Sequence, residues 1–221
     1  MSQALLWSFL IVSSITMLAP LAWMIGGAFK SNAEVMAIPI RWLPSEIRLV
    51  ENWSSMMARI PYARYYANSV VVAVVATTGT IFFCSLIGYG LAKFEFPGKR
   101  AFFAFILATM MVPGQLTLIG LYVVVKNLGW LNTYQGLIVP EMIGTFGIFL
   151  MRQSLLAIPD EFLDAARIDG ANEFTIFAQI VMPLVRPATA TLAILSGTAH
   201  WDSFLWPLIT ISDKLRYTLP V

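Results

Sequence analysis

Pro159 to Pro183 reads PDEFLDAARIDGANEFTIFAQIVMP, a polar, helix-prone stretch turned once at Gly170. The segments on either side are too apolar to be stable in water. That contrast decides the fold, because a water-compatible helical pair set between apolar runs marks a chain that crosses a bilayer repeatedly. Two readings of the pair stand side by side. One is a docking element for a cytosolic partner, and the other is an amphipathic loop lying on the bilayer surface.

The local chemistry predicts two short helices. Pro159 followed by Asp160 and Glu161 suits a helix start, with acids near the positive end of the dipole. Phe162, Ala165, Ala166 and Asp169 recur at helical spacing, giving a small apolar face with an acidic edge at Asp164. Gly170 supplies a left-handed turn position, Asn172 caps the second helix, and Glu173 sits in its first turn. Phe174, Phe177 and Val181 share a face, and Pro183 ends the helix. The alanines let another surface approach the backbone, and the two rings are large enough to anchor in a pocket. One of the two rings is expected to pack back onto the chain's own spans.

Working outward, the expected architecture is an all-α, polytopic transmembrane bundle. Leu5 to Phe29 is an uncharged apolar run, expected as a retained span kinked at Pro20 rather than a cleaved leader, since no basic stretch precedes it. Residues 30–66 form a wetter extracytoplasmic segment, whose Tyr62, Tyr65 and Tyr66 suit an aromatic belt. Further spans are expected at about 67–92, 101–125, 136–151 and 184–211, with the coupling segment at 152–183. The third contains Pro113-Gly114-Gln115, a helix interruption beside a glutamine that wants a polar partner or a watery cavity. The fourth carries Glu141, and the fifth His200 and Asp202. The short basic turn Lys93–Arg100, KFEFPGKR, favours the inner side by the lysine and arginine rule, which places Pro159–Pro183 there too.

Composition narrows function. Of 221 residues, 58% are hydrophobic and 12% charged, outside the soluble range. A net charge of +2 with no long basic run argues against a nucleic-acid partner. One cysteine, Cys84, and one histidine, His200, exclude an internal disulfide framework and a multi-histidine metal or haem site. No nucleophile–base arrangement is evident, and no phosphate loop of the Gly-Lys-Ser/Thr kind is present.

The spacing within the helical pair resembles a known signature. Asp164-Ala165-Ala166, three residues, Gly170, nine residues, Ile180, one residue, Met182-Pro183 is similar to the EAA loop of ABC importer permeases, with aspartate for glutamate and methionine for leucine. Asn68-Ser69, the stretch GLAKFEFPG (Gly90–Gly98) and WDSFLWPL (Trp201–Leu208) resemble the carbohydrate-uptake branch, the maltose-, trehalose- and glycerol-phosphate-type permeases. The likeness covers nearly the whole chain and is closer to the smaller of the two permease partners. Such permeases usually have six spans where five are read here, so the sequence is expected to be a fragment or truncated product.

The resemblance implies a prokaryotic plasma-membrane subunit that moves a sugar or polyol by alternating access. It implies two cytosolic ABC ATPases that hold ATP and magnesium, a second permease, an extracytoplasmic solute-binding protein, and no cofactor in this chain. Glu161, Asp164, Ala165, Ala166, Gly170, Phe174 and Phe177 would then couple to the ATPase, with Asp164 pairing to a basic group there. Gln115, His200, Trp201, Asp202 and Trp206 are candidates for the solute path, although interhelical bonding and interfacial anchoring are the commoner fates of such residues. His200 and Asp202 are expected on different faces. The alternative is a secondary transporter or channel driven by an ion gradient, for which Glu141 and Asp202 are the only acids within spans.

Overall fold

The computed structural model describes residues 3–221, which divide into two units, one ending at Tyr62 and the other Ala63–Val221. In the first unit, α1 (Gln3–Ala28) is a continuous apolar helix with Pro20 inside it and no buried residue, as suits a helix whose surroundings are lipid or other subunits. It leads into α2 (Asn32–Val35), where Ser31 and Glu34 form a capping box, and then α3 (Leu49–Arg59). Lys30 is buried here. Its ammonium donates to the Arg41 carbonyl at 2.5 Å and lies 4.2 Å from the Trp23 ring centroid.

The second unit is built on α4 (Tyr62–Lys93), a 32-residue helix that buries Ala76, Gly79, Cys84, Ser85 and Gly88 among others. Small residues let neighbouring backbones come close. A Cβ built on Gly88 would lie 2.9 Å from the Arg152 nitrogen, and one on Gly147 would lie 2.8 Å from the Cys84 sulfur. Those contacts seat α8 (Thr145–Leu156) directly on α4.

The remaining expected spans are not straight rods. α5 (Lys99–Thr109) and α6 (Gly114–Asn127) meet at 103° across Pro113. The proline has no amide proton and the glycine beside it resists helix continuation, so the run breaks where the sequence predicts an interruption. α7 (Tyr134–Ile138) continues through a 3-10 turn at Val139–Glu141 and bends 43° into α8, which extends to Leu156 rather than ending at 151. α9 (Glu161–Ile168) and α10 (Glu173–Thr175) follow, then a π-helical stretch at Ile176–Val181 and α11 (Met182–Leu184). An 83° bend at Val185 leads into α12 (Arg186–Trp201), and α13 (Leu205–Thr210) follows a further break. Among the described residues, two helices are long and apolar enough to cross a membrane alone, and up to five crossings result if each bent pair is one span. The expected run 184–211 is thus corrected to a 16-residue helix and a short separate one, with Asp202 at the break between them rather than inside a helix.

The C-terminal end folds back on the start of α4. Asn68 donates to the carbonyls of Leu215 and Tyr217 at 3.0 and 2.9 Å, and the Leu219 amide donates to Ser69 at 2.8 Å. Asn68 and Ser69 therefore close one end of this unit.

A docking loop and two clefts

The segment after α8 forms the loop picked out by its polarity. Helix α9 ends in a Schellman turn: the Ala171 amide donates to the Ala166 carbonyl and the Gly170 amide to that of Arg167, both at 3.0 Å. Gly170 has φ +82°, a conformation that strains any side chain even though the space around it is open. Asn172 then caps α10, its side chain accepting from the Thr175 amide at 2.9 Å.

The charged residues of the loop pair among themselves. Arg167 donates to Asp164 and to Glu173, each at 2.8 Å, and those two carboxylates raise the guanidinium's pKa, with Glu173 the larger cause. Asp164, expected to pair with a basic group on the ATPase, is bonded within this chain to Arg167 three residues on, and its side chain is still 64% exposed. Glu161 is exposed in the first turn of α9.

The apolar residues divide cleanly. Leu163, Ala166, Ile176, Phe177 and Val181 are buried in one core cluster with Tyr89, Leu91, Met151 and Leu155. Phe177 is 5% exposed, and its ring centroid is 5.4 Å from that of Tyr89. Phe174 is 63% exposed. One ring thus packs inward and the other is presented, as the sequence reading anticipates, although the two do not share an outward face. Ala166 joins the inward set, so of the two alanines only Ala165 is open to an approaching surface.

Two clefts share Glu141, and the smaller of them reaches the middle of α4 at Thr80. One, of about 560 Å³, is lined by Gln115, Asp202 and Trp206 along with Glu141. The other, of about 350 Å³, is lined by Thr80, Glu141, Phe146, Ser196 and His200. His200 presents Nδ1 to the Glu141 carboxylate at 3.6 Å and Nε2 to the Thr80 hydroxyl at 3.3 Å, and its side chain is 8% exposed. His200 and Asp202 therefore fall on different clefts, His200 from the last turn of α12 and Asp202 from the break that follows it. Glu141 is the residue that the sequence reading passed over as a site, although an acid inside an apolar span is itself a signal of function.

The tryptophans are not equivalent. Trp206 is 4% exposed and donates from Nε1 to the Gly136 carbonyl at 3.1 Å, which holds α13 against α7. Trp201 stands edge-on to Tyr66 with centroids 5.8 Å apart and is outside both clefts. Gln115 and Asp202, in contrast, have no side-chain hydrogen bond among the described residues and line the larger cleft.

A left-handed glycine turn bounded by helices, set between broken apolar spans, is what one membrane-protein family carries. The pattern of that family, the binding-protein-dependent transport system inner membrane component, matches residues 82–221. The chain belongs to this family. Among its relatives, the arabinooligosaccharides transport system permease protein AraQ of Bacillus subtilis is 33% identical over 215 residues, covering 96% of this chain and 76% of the relative. The sn-glycerol-3-phosphate transport system permease protein UgpE of Rhizobium meliloti is 31% identical, covering 95% and 77%. The fold is shared with a chain in the crystal structure of a bacterial ABC transporter involved in the import of the acidic polysaccharide alginate. The TM-score there is 0.87 at 24% identity, with 100% of this chain and 79% of that one covered. As an inner membrane component of such a system, the chain is a permease subunit and leaves catalysis to other subunits. Membership does not favour an ion-gradient transporter.

Proposed function

We propose that the chain is one of two different permease subunits in an ATP-driven importer of a neutral sugar or polyol, spanning the cytoplasmic membrane several times. The loop from Asp160 to Pro183 seats on a cytosolic ATPase subunit. Closure of two such ATPases around ATP and magnesium drives the permease pair between inward- and outward-facing states, and an extracytoplasmic binding protein delivers the solute. This chain supplies no nucleotide site.

The observation that carries the reading is the construction of the loop. Its turn is formed by a glycine that no side chain can replace without strain, its inner face is bonded to the permease core, and its outer face presents Phe174 and Ala165. Such a knob, which also exposes Phe162 and Ile168, suits an apolar groove on another protein. A neutral solute is favoured by the clefts, whose linings include acids, amides and hydroxyls but no lysine or arginine. Relatives named for arabinooligosaccharides, diacetylchitobiose and lactose support the sugar class.

The test is site-directed cross-linking in the assembled importer. A cysteine at Ala165 is expected to link to a cysteine in the ATPase, whereas one at Ala157 before the loop should link less. Failure of every loop position to reach an ATPase, or labelling of the loop from outside the cell, would end this reading.

A further inference from the structure

The coupling loop is held to the permease at two points, and both lie on α4. At the loop's start, Lys93, the last residue of α4, donates its ammonium to the Ile158 carbonyl at 2.5 Å and to the Asp160 carboxylate at 2.6 Å. The Lys93 side chain is only 4% exposed, while the Asp160 side chain that receives it is 74% exposed, so the lysine is anchored on the permease side and its carboxylate partner is on the loop's surface. At the second short helix, the Tyr89 hydroxyl donates to Glu173 at 3.0 Å, while the other oxygen of Glu173 accepts from Arg167. Tyr89 and Lys93 are four residues apart and so occupy one face of the helix. One grip holds each side of the Gly170 hinge.

α4 is also the one element of its unit that runs unbroken for its whole length, since the paired runs after it bend by 103°, 43° and 83°. Nine residues above Tyr89, about 14 Å along the axis at 1.5 Å per residue, Thr80 lines the smaller cleft. Its hydroxyl lies 3.2 Å from the Glu141 carbonyl and 3.3 Å from His200 Nε2. One continuous helix gripped by the loop at one end and touching the Glu141–His200 pair further along has the geometry of a lever.

We propose that Tyr89 and Lys93 are the positioning residues through which the loop's movement enters the membrane, with α4 carrying it to Thr80 and the Glu141–His200 pair. The inference rests on the docking reading above and adds the path inside the permease. Charge-assisted bonds from a buried lysine and a buried tyrosine transmit force in either direction, whereas the apolar contacts around them can slide.

The experiment is a measurement of solute taken up per ATP hydrolysed, in proteoliposomes containing the whole importer. Tyr89→Phe removes one hydroxyl and keeps the ring contacts with Phe94 and Phe177. Lys93→Met removes the ammonium and keeps the stem. Each is expected to lower uptake per ATP by about tenfold, within the range of measured coupling energies, while ATP hydrolysis and the Ala165→Cys cross-link to the ATPase persist. Uptake and hydrolysis that fall in parallel, or a ratio unchanged in both variants, would overturn the lever. Absence of the cross-link in the otherwise unaltered protein would instead overturn the docking reading, and the lever with it.

Discussion

The coupling loop and the clefts beside Glu141 use their polar groups in opposite ways. In the loop, Asp164, Arg167, Glu173 and Tyr89 are bonded to one another, and Asp160 to Lys93, so the charged network is complete before any partner arrives. In the larger cleft, Gln115 and Asp202 line an open volume of about 560 Å³ without bonding to each other or to a neighbour among the described residues. The first arrangement keeps a shape constant while force passes through it. The second leaves hydrogen-bonding capacity for something that comes and goes, since a solute rich in hydroxyls can satisfy groups that the protein does not. A stiff loop and a receptive cleft are the two parts that a coupled permease requires.

The comparison can be broken most decisively at the hinge. Gly170→Val places a β-branched residue at φ +82°, a strain of about 1–3 kcal/mol on a two-sided turn. Uptake is expected to fall at least about tenfold while membrane insertion and ATP hydrolysis continue, and unimpaired uptake would show that the loop need not be stiff. The two phenylalanines sharpen the contrast next. Phe177→Ala should destabilise the permease itself by about 3–5 kcal/mol, read as a lower melting temperature in detergent, because its ring is in the core. Phe174→Ala should leave that temperature within a degree or two and loosen ATPase association by about 2 kcal/mol, read by co-purification. Equal behaviour of the two would remove the distinction between inner and outer face.

For the cleft, Gln115→Ala and Asp202→Asn are expected to raise the solute concentration for half-maximal uptake several-fold, at about 1 kcal/mol per lost hydrogen bond. Thermal stability should stay unchanged, since neither side chain has a partner within the described chain. Trp206→Phe should do the reverse, because its indole bond to Gly136 is structural. The smallest effect is expected from pH. The Lys93 hydrogen bond and charge hold the Asp160 carboxyl below its ordinary value of 3.8. A depressed carboxyl pKa contributes stability above the unfolded value and loses it as pH falls through the folded one. Between pH 5 and 8 this grip should therefore be constant, and a fluorophore on Ala165→Cys should show flat anisotropy over that interval.

How much was legible beforehand follows from the range of each interaction. The loop could be read nearly residue by residue, including the Gly170 turn, the Asn172 cap and one inward phenylalanine, because caps and turns are set by neighbours within four positions. The bond from Arg167 to Asp164 was not foreseen, although a cation at i+3 on the same helix is a local signal. The break at Pro113-Gly114 was visible, but its 103° bend was not. Glu141 went unselected because its importance comes from meeting His200 and Thr80, residues 59 and 61 positions away along the chain.

By itself, then, the sequence determined that the chain lives in a bilayer, that helices are its only economical backbone there, and that a glycine-hinged polar pair interrupts its apolar runs. Unsatisfied backbone groups are too costly in lipid for any open alternative, and the hinge needs a residue without a side chain. The tertiary structure alone decided which polar groups meet. It seated Tyr89 and Lys93 on the loop, set His200 against Glu141, and left Gln115 and Asp202 open to a cleft. Those pairings depend on the angles at which broken helices cross, and such angles come from close packing at Gly88 and Gly147 rather than from any local preference of the chain.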